Sequence, residues 1–234
     1  MQRSTNIVVF LFTCIVISSC SSNEIGQSKD VNQDKIYQNY SVGYSEGEEK
    51  VSVYAQFRFA GSNGTTLVLS SPSQVSFDGT AIKVDSSGPS GAFYLTYKPI
   101  TGFYGKHHWI FTDTENRKFD NDFSFDTFRL MTMPSAIARN KDLLINFQPA
   151  TLENGDKIEV SSVHTDSSFT VYHESNEPGN FITIPAKELS RQRNKEFQIE
   201  AALIKKIPLH QQALEGGEMT LRYTLKPVTI RFGD

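Results

Sequence analysis

The chain has 234 residues, a formal net charge of −3 and 12% aromatic residues, with 17 Phe, 9 Tyr and one Trp. The charges read as scattered, with no run of Lys and Arg of the kind that tracks nucleic acid or anionic lipid, so a nucleic-acid partner is not expected. Both cysteines, Cys14 and Cys20, lie near the start, which leaves the remaining body with no disulfide, no thiol nucleophile and no cysteine metal ligand.

In chain order, Arg3 precedes an 11-residue apolar run, Ile7 to Ile17, and the run stops at Ser18-Ser19-Cys20. A membrane-spanning helix needs about 20 apolar residues, so this run suits the core of a secretory signal instead. The tetrapeptide Ile17-Ser18-Ser19-Cys20 resembles the lipobox of bacterial lipoproteins, in which an aliphatic and two small residues precede the cysteine. The resemblance implies that residues 1–19 are a signal peptide, that Cys20 is lipidated, and that the membrane is reached through this N-terminal lipid. Each buried acyl methylene contributes about 0.8 kcal/mol, so several chains anchor durably without a spanning helix. Loss of Arg3 with the signal takes the net charge from −3 to about −4.

Residues 20–39 are polar and are expected to form a flexible tether. Their acidic residues are dispersed. The tight acidic cluster that follows the cysteine in some surface-exported Bacteroidetes lipoproteins is not present. The resemblance therefore implies the bacterial cell envelope, at the outer membrane, without selecting the periplasmic or the surface face.

From Val51 the pattern has period two. Val51, Val53, Ala55, Phe57 and Phe59 share one face of a half-buried strand. Residues 65–70 form a short apolar run, and Asp78-Gly79 between alternating apolar residues is a strong hairpin signal. Strands follow at 91–99 and across 106–128, where a polar turn near 114–116 reverses the chain and a bulge near Asp120-Asn121 is expected. Residues 130–141 carry Pro134 and no strand pattern, which places a domain boundary there.

The second half repeats the style. Strands are expected at 142–150, after Asn154-Gly155, at 167–175, at 180–189 and over 194–209, with 185–192 a short helix or an irregular crossover. The last stretch alternates through Met219, Leu221, Tyr223 and Leu225, breaks at Pro227 and resumes at Val228. Proline inside a ladder belongs at an edge or a break, so the final strand is expected to kink and change partners. The fold class read from this pattern is all-β, with two tandem antiparallel β-sandwich domains, 40–133 and 134–234. The pattern resembles the tandem immunoglobulin-like or fibronectin-like domains of bacterial envelope lipoproteins, without the Cys-Trp-Cys core of antibody domains. The resemblance is architectural and carries no functional residues with it.

No catalytic motif stands out: there is no G-x-S-x-G, H-E-x-x-H, G-x-G-x-x-G or phosphate-binding loop. His107 and His108 are adjacent on a strand and point to opposite faces, so they do not converge on one metal, and no metal or cofactor is assigned. His164, His173 and His210 read as surface or rim histidines. The acidic stretch Asp113 to Asp126 lacks the glycine and bidentate Glu of a calcium loop and holds Arg117 and Lys118 at its centre. The aromatic stretch 93–109 is the best binding candidate, with Phe103, Tyr104 and Trp109 as the residues singled out. The reading is a lipid-anchored, non-enzymatic envelope protein that binds or scaffolds an unknown protein or glycan partner. The alternative is a hydrolase or glycan-processing accessory protein with its site between the two domains.

Overall fold

The alternating segments form strands in the computed structural model, which describes residues 24–87, 90–131, 134, 136–148, 152–163 and 167–233. The expected signal peptide, Cys20 and His164 lie outside the described residues. The strands of the first half are β1 (Ile25–Gln27), β2 (Ile36–Ser45), β3 (Lys50–Phe59), β4 (Thr65–Val68), β5 (Gln74–Phe77), β6 (Thr80–Ala81), β7 (Val84–Ser87), β8 (Gly91–Pro99), β9 (Gly105–Thr112) and β10 (Lys118–Phe125). The second half holds β11 (Arg129–Leu130), β12 (Leu143–Gln148), β13 (Lys157–Val163), β14 (Thr170–Glu174), β15 (Phe181–Ile184), the short helix α1 (Ala186–Ser190), β16 (Glu196–Ile207), β17 (Gly217–Thr224) and β18 (Val228–Arg231).

The architecture is an all-β sandwich. One long sheet runs β1-β4-β3-β2-β17-β16-β13-β14, with β8 beside β3, β7 beside β8, and β18 beside β16. A four-stranded sheet, β10-β9-β5-β6, and a three-stranded sheet, β11-β12-β15, complete the set. Aromatic residues fill the first half of the core. Tyr40 of the long sheet lies 4.9 Å from Trp109 of the four-stranded sheet, and Phe57 lies 4.5 Å from Phe111, ring centre to ring centre. Aliphatic residues dominate the second half, where Ile145, Phe147, Ile182 and Ile184 are buried in one cluster with Ile158, Val160, Phe197 and Ile199. Period two explains this division, because every second residue along β2, β3 and β13 turns inward.

Several local expectations meet the structure directly. Asp78 and Gly79 both have positive φ, 47° and 74°, and link β5 to β6 by the tight turn that Asp-Gly favours. Of the two readings of 185–192, the short helix holds, with Pro185 standing as its extended N-cap (φ −65°, ψ 143°) rather than as its first helical residue. The final strand breaks at 225–227. The break is as expected, but the change of partner is not: β17 pairs with both β2 and β16 before it, and β18 stays on β16 after it, losing only β2.

Three further expectations are corrected. Residues 25–39 are not a flexible tether: β1 pairs in parallel with β4, Ser28 and Gln33 are buried, and β2 begins at Ile36. The polar composition misled because these side chains are hydrogen-bonded inside, with Gln33 Nε2 donating to Ser28 O at 2.6 Å and Ser70 N donating to Ser28 Oγ at 2.8 Å. The bulge near Asp120-Asn121 does not occur. β9 and β10 pair without interruption from Thr112↔Lys118 to Gly105↔Phe125, and Phe119, Asn121, Phe123 and Phe125 lie on one side. The sheet is also not purely antiparallel, since β1/β4 and β2/β17 are parallel pairs that join segments far apart in the chain. The second of these carries the long sheet across the expected boundary at 133/134, near which residues 132, 133 and 135 lie outside the described residues.

Candidate binding groove

The three residues singled out from the sequence are split by the fold. Trp109 is fully buried at 0% exposure, and Phe103 is 4% exposed, stacked 4.1 Å from the His107 ring. Neither is a surface anchor. Trp109 falls on the inward parity of β9, and the turn after β8 folds Phe103 over Phe77 and His107. Tyr104 is 47% exposed, but its ring leans on Phe125 at 5.6 Å at the sandwich rim. Next to it, burial pushes the Tyr223 phenol well above its ordinary value, and the hydrogen bond with Tyr104 adds to this.

Of the histidines read as surface or rim, His210 is exposed but His173 is buried, and His107 on β9 is buried as well. His107 Nδ1 lies 2.7 Å from Asp78 Oδ2, and its Nε2 meets the Phe103 carbonyl. Asp78 also accepts from His108 N at 3.0 Å, so the hairpin-turn carboxylate locks the start of β9. In the acidic hairpin, Asp113 is buried and accepts from Glu115 N, Arg117 N and Arg117 Nε at 2.9, 2.9 and 2.6 Å. Arg117 Nη1 also reaches Asp34 Oδ1 at 2.6 Å. A guanidinium thus stands where a cation would have to sit. Among the described residues no group of three His, Cys, Asp or Glu is placed to hold a metal ion.

The geometry with binding character lies elsewhere, on the outer face of the long sheet. Strand register sets a row across four strands: Tyr97 of β8 opposite Ser52 of β3, Ser52 opposite Gly43 of β2, and Gly43 opposite Arg222 of β17. Two small residues between two large ones leave a groove of about 660 Å3, lined by these four and by Glu48, Glu49 and Lys50 among others. Gly43 forms part of the floor, where a Cβ would come within 2.8 Å of Ser52 Oγ. Tyr97 is 58% exposed because its cross-strand neighbour is a serine that leaves the ring face bare.

The groove has fixed walls. Arg222 Nη2 donates to Glu159 Oε1 at 2.9 Å, which aims the guanidinium along the sheet. The turn carrying Glu48 and Glu49 is tied down at both sides. On one side Glu46 N donates to Thr224 O at 2.7 Å and Glu46 Oε2 accepts from Lys226 N at 3.1 Å; on the other, Glu49 O accepts from Ile100 N at 2.9 Å. A second aromatic step lies further along the same face, where Tyr54 and Phe93 stack at 5.8 Å. Tyr97 was part of the aromatic stretch in the sequence but was not chosen from it. The signal was available: Tyr94 points inward, so Phe93, Leu95 and Tyr97 share the opposite face. The pairing of Gly43 with Arg222 has no local signal at all.

Among the described residues no helix is long and apolar enough to cross a membrane. No protein-family model matches the chain, and no curated protein matches it. Solved structures do match. One is a DIP-gamma IG1+IG2 structure, at 9% identity, covering 84% of this chain and 96% of that one, with a TM-score of 0.23. Another is Dpr11 IG1 bound to DIP-gamma IG+IG2, at 9% identity, covering 83% and 96%, with a TM-score of 0.22. A third is the Bacteroides ovatus mixed-linkage glucan utilization locus SGBP-B in complex with a mixed-linkage heptasaccharide. It is 16% identical, with a TM-score of 0.21, and the match covers 86% of this chain but 45% of that one. Scores this low establish no shared function, and the sandwich assignment rests on the strand pairing itself.

Proposed function

We propose that this chain is a non-enzymatic, lipid-anchored protein of the bacterial cell envelope that binds a glycan in the groove over Gly43. The observation that carries the reading is the row Tyr97–Ser52–Gly43–Arg222. An exposed ring at one side offers a flat apolar face, and Arg222, Glu48, Glu49 and Ser52 offer donors and acceptors around an open floor. A sugar ring presents the matching surfaces, with C–H groups on its faces and hydroxyls at its edge. Tyr also contributes contact area with few rotatable bonds, which lowers the entropy lost on binding.

The hydrolase alternative is less well served by this groove. Glycoside cleavage needs two carboxyl groups flanking the bond, one of them held protonated by an enclosed environment. Glu48 and Glu49 are neighbours on an exposed turn that borders an open groove.

Anchoring through Cys20 at the outer membrane belongs to the same proposal, and the ordered start of the body sharpens it. Five residue steps separate Cys20 from Ile25, the first residue of β1. At about 3.6 Å per residue the leash is at most about 18 Å, so the body would stand close to the membrane. To test the binding reading, the purified protein is run through native gels cast with neutral polysaccharides, beside the Tyr97→Ala variant. Retardation of wild type alone supports it. Equal migration of both proteins in every gel would overturn it.

A further inference from the structure

The outer face of the long sheet continues beyond the Tyr97 groove. Strand register sets a second row beside the first, two residues further along each strand: Leu95 of β8 opposite Tyr54 of β3, Tyr54 opposite Ser41 of β2, and Ser41 opposite Thr220 of β17. Asn39 stands two residues on from Ser41, opposite Gln56 on one side and Glu218 on the other. Alternate residues of a strand share a face, so Gly43, Ser41 and Asn39 form one continuous floor along β2.

This strip has an aromatic side and a hydroxyl side. The Tyr54 and Phe93 rings stack at 5.8 Å with 22° between their planes, and both are half-buried, so each leaves part of its surface to solvent. Thr220 stands across β2 from them. Among the described residues nothing hydrogen-bonds the Tyr54, Ser41 or Thr220 hydroxyl or the Asn39 side-chain amide. Arg58, by contrast, is engaged: its Nε donates to Gln56 Oε1 at 3.1 Å and its Nη1 to Gly64 O at 2.8 Å. The side chains of the strip are uncharged, and Glu218 and Lys206, of opposite sign, flank it.

We infer that the glycan of the groove is a linear, uncharged chain laid lengthwise over β2, with Tyr54 and Phe93 as its second aromatic contact. The inference rests on the groove reading and names the class of glycan. Four residue steps from Gly43 to Asn39 cover about 14 Å at about 3.4 Å per residue, room for about three linked sugar rings. A single ring over Gly43 does not reach Asn39, so only a chain uses the whole strip. Hydroxyls and an amide without partners suit sugar hydroxyls, each of which both donates and accepts. The flanking Glu218 and Lys206 cancel, which leaves no net charge to attract an ionic chain. A peptide strand finds no open edge here, because β2 and β3 are paired on both sides.

The test is isothermal titration of wild type with cello-, manno- and xylo-oligosaccharides, each from disaccharide to hexasaccharide. In the series that binds, affinity rises at least about tenfold from disaccharide to tetrasaccharide and then levels off. Tyr54→Ala lowers hexasaccharide affinity about tenfold, the loss of one aromatic contact, and leaves disaccharide affinity unchanged. Asn39→Ala, which removes no side-chain bond among the described residues, lowers hexasaccharide affinity about fivefold through one lost hydrogen bond. Tyr97→Ala loses binding at every length, which separates the groove from the strip. Equal affinity for disaccharide and hexasaccharide, or full hexasaccharide affinity in both the Tyr54 and the Asn39 variant, overturns the inference and leaves the groove reading standing. Binding of no series also overturns it, and the polysaccharide gels then decide whether the groove reading falls with it.

Discussion

Asn121 sits fully buried on β10 directly opposite Trp109, in a row of otherwise aromatic side chains. Its amide clasps the main chain of Gln211 in the loop before β17. Nδ2 donates to Gln211 O at 2.8 Å, and Gln211 N donates to Oδ1 at 3.0 Å. Asn121→Ala removes both bonds and leaves the two Gln211 main-chain groups with no partner on that side. A net loss of about 1 kcal/mol per bond, plus the desolvation of groups left behind, gives about 2 to 4 kcal/mol. For a body of this size that is a Tm lowered by roughly 5 to 15 °C. Gln211→Ala removes only the side-chain contact from Asp120 N to Gln211 Oε1, 3.0 Å, and should cost less. Asn121→Asp would turn a carboxylate toward the Gln211 carbonyl. Burial and that oxygen raise its folded pKa above about 3.9, so its penalty is full at neutral pH and fades as pH falls toward that value. Urea unfolding followed by the emission of Trp109, the single tryptophan, reads all three. A loss below about 0.5 kcal/mol for Asn121→Ala, within the range of ordinary surface changes, would refute the clasp.

Phe103→Ala should behave as a core deletion, costing about 3 to 5 kcal/mol, whereas Tyr97→Ala should leave the melting curve nearly unchanged; thermal melts of both decide it. Burial pushes the Asp156 carboxyl above its ordinary value, with Lys205 opposing the shift. Ionising it therefore opposes folding, so Asp156→Asn should raise the Tm at pH 7, and the gain should vanish below about pH 4, where the carboxyl is protonated folded and unfolded alike. Metabolic labelling with a fatty acid should mark wild type and leave Cys20→Ala unmarked; an unlabelled wild type would remove the anchor from the account.

The strands were legible in the sequence because half-buried strands print their burial as period two, and the Asp78-Gly79 hairpin because only a few residues accept positive φ at both turn positions. The polar entry segment was not legible. Ser28 and Gln33 look solvent-facing by composition, yet they are buried through bonds to partners up to 81 residues away. Asn121 hid the continuity of β10 in the same way, since a buried amide among Phe119, Phe123 and Phe125 reads as a break until Gln211 is placed beside it. The site was half legible. The aromatic stretch 93–109 contains Tyr97, but type alone cannot separate the buried Trp109 from the exposed Tyr97, whereas strand parity can. Arg222 reaches Gly43 only through the parallel pairing of β2 with β17, which no local pattern encodes.

The central claim is that a ligand lies on the floor of the groove, over Gly43. Gly43→Val tests it most directly: valine suits a strand, and its side chain would rise into the groove opposite Ser52 and Arg222; the Ser52 hydroxyl, 2.8 Å from the new Cβ, must rotate off the Gly43 carbonyl, while Arg222 keeps its bond to Glu159. Isothermal titration with oligosaccharides of whichever polysaccharide retards wild type should show binding to wild type and none to Gly43→Val, at unchanged circular dichroism. Binding of equal affinity to the filled groove would contradict the account and move the site off this face of the sheet.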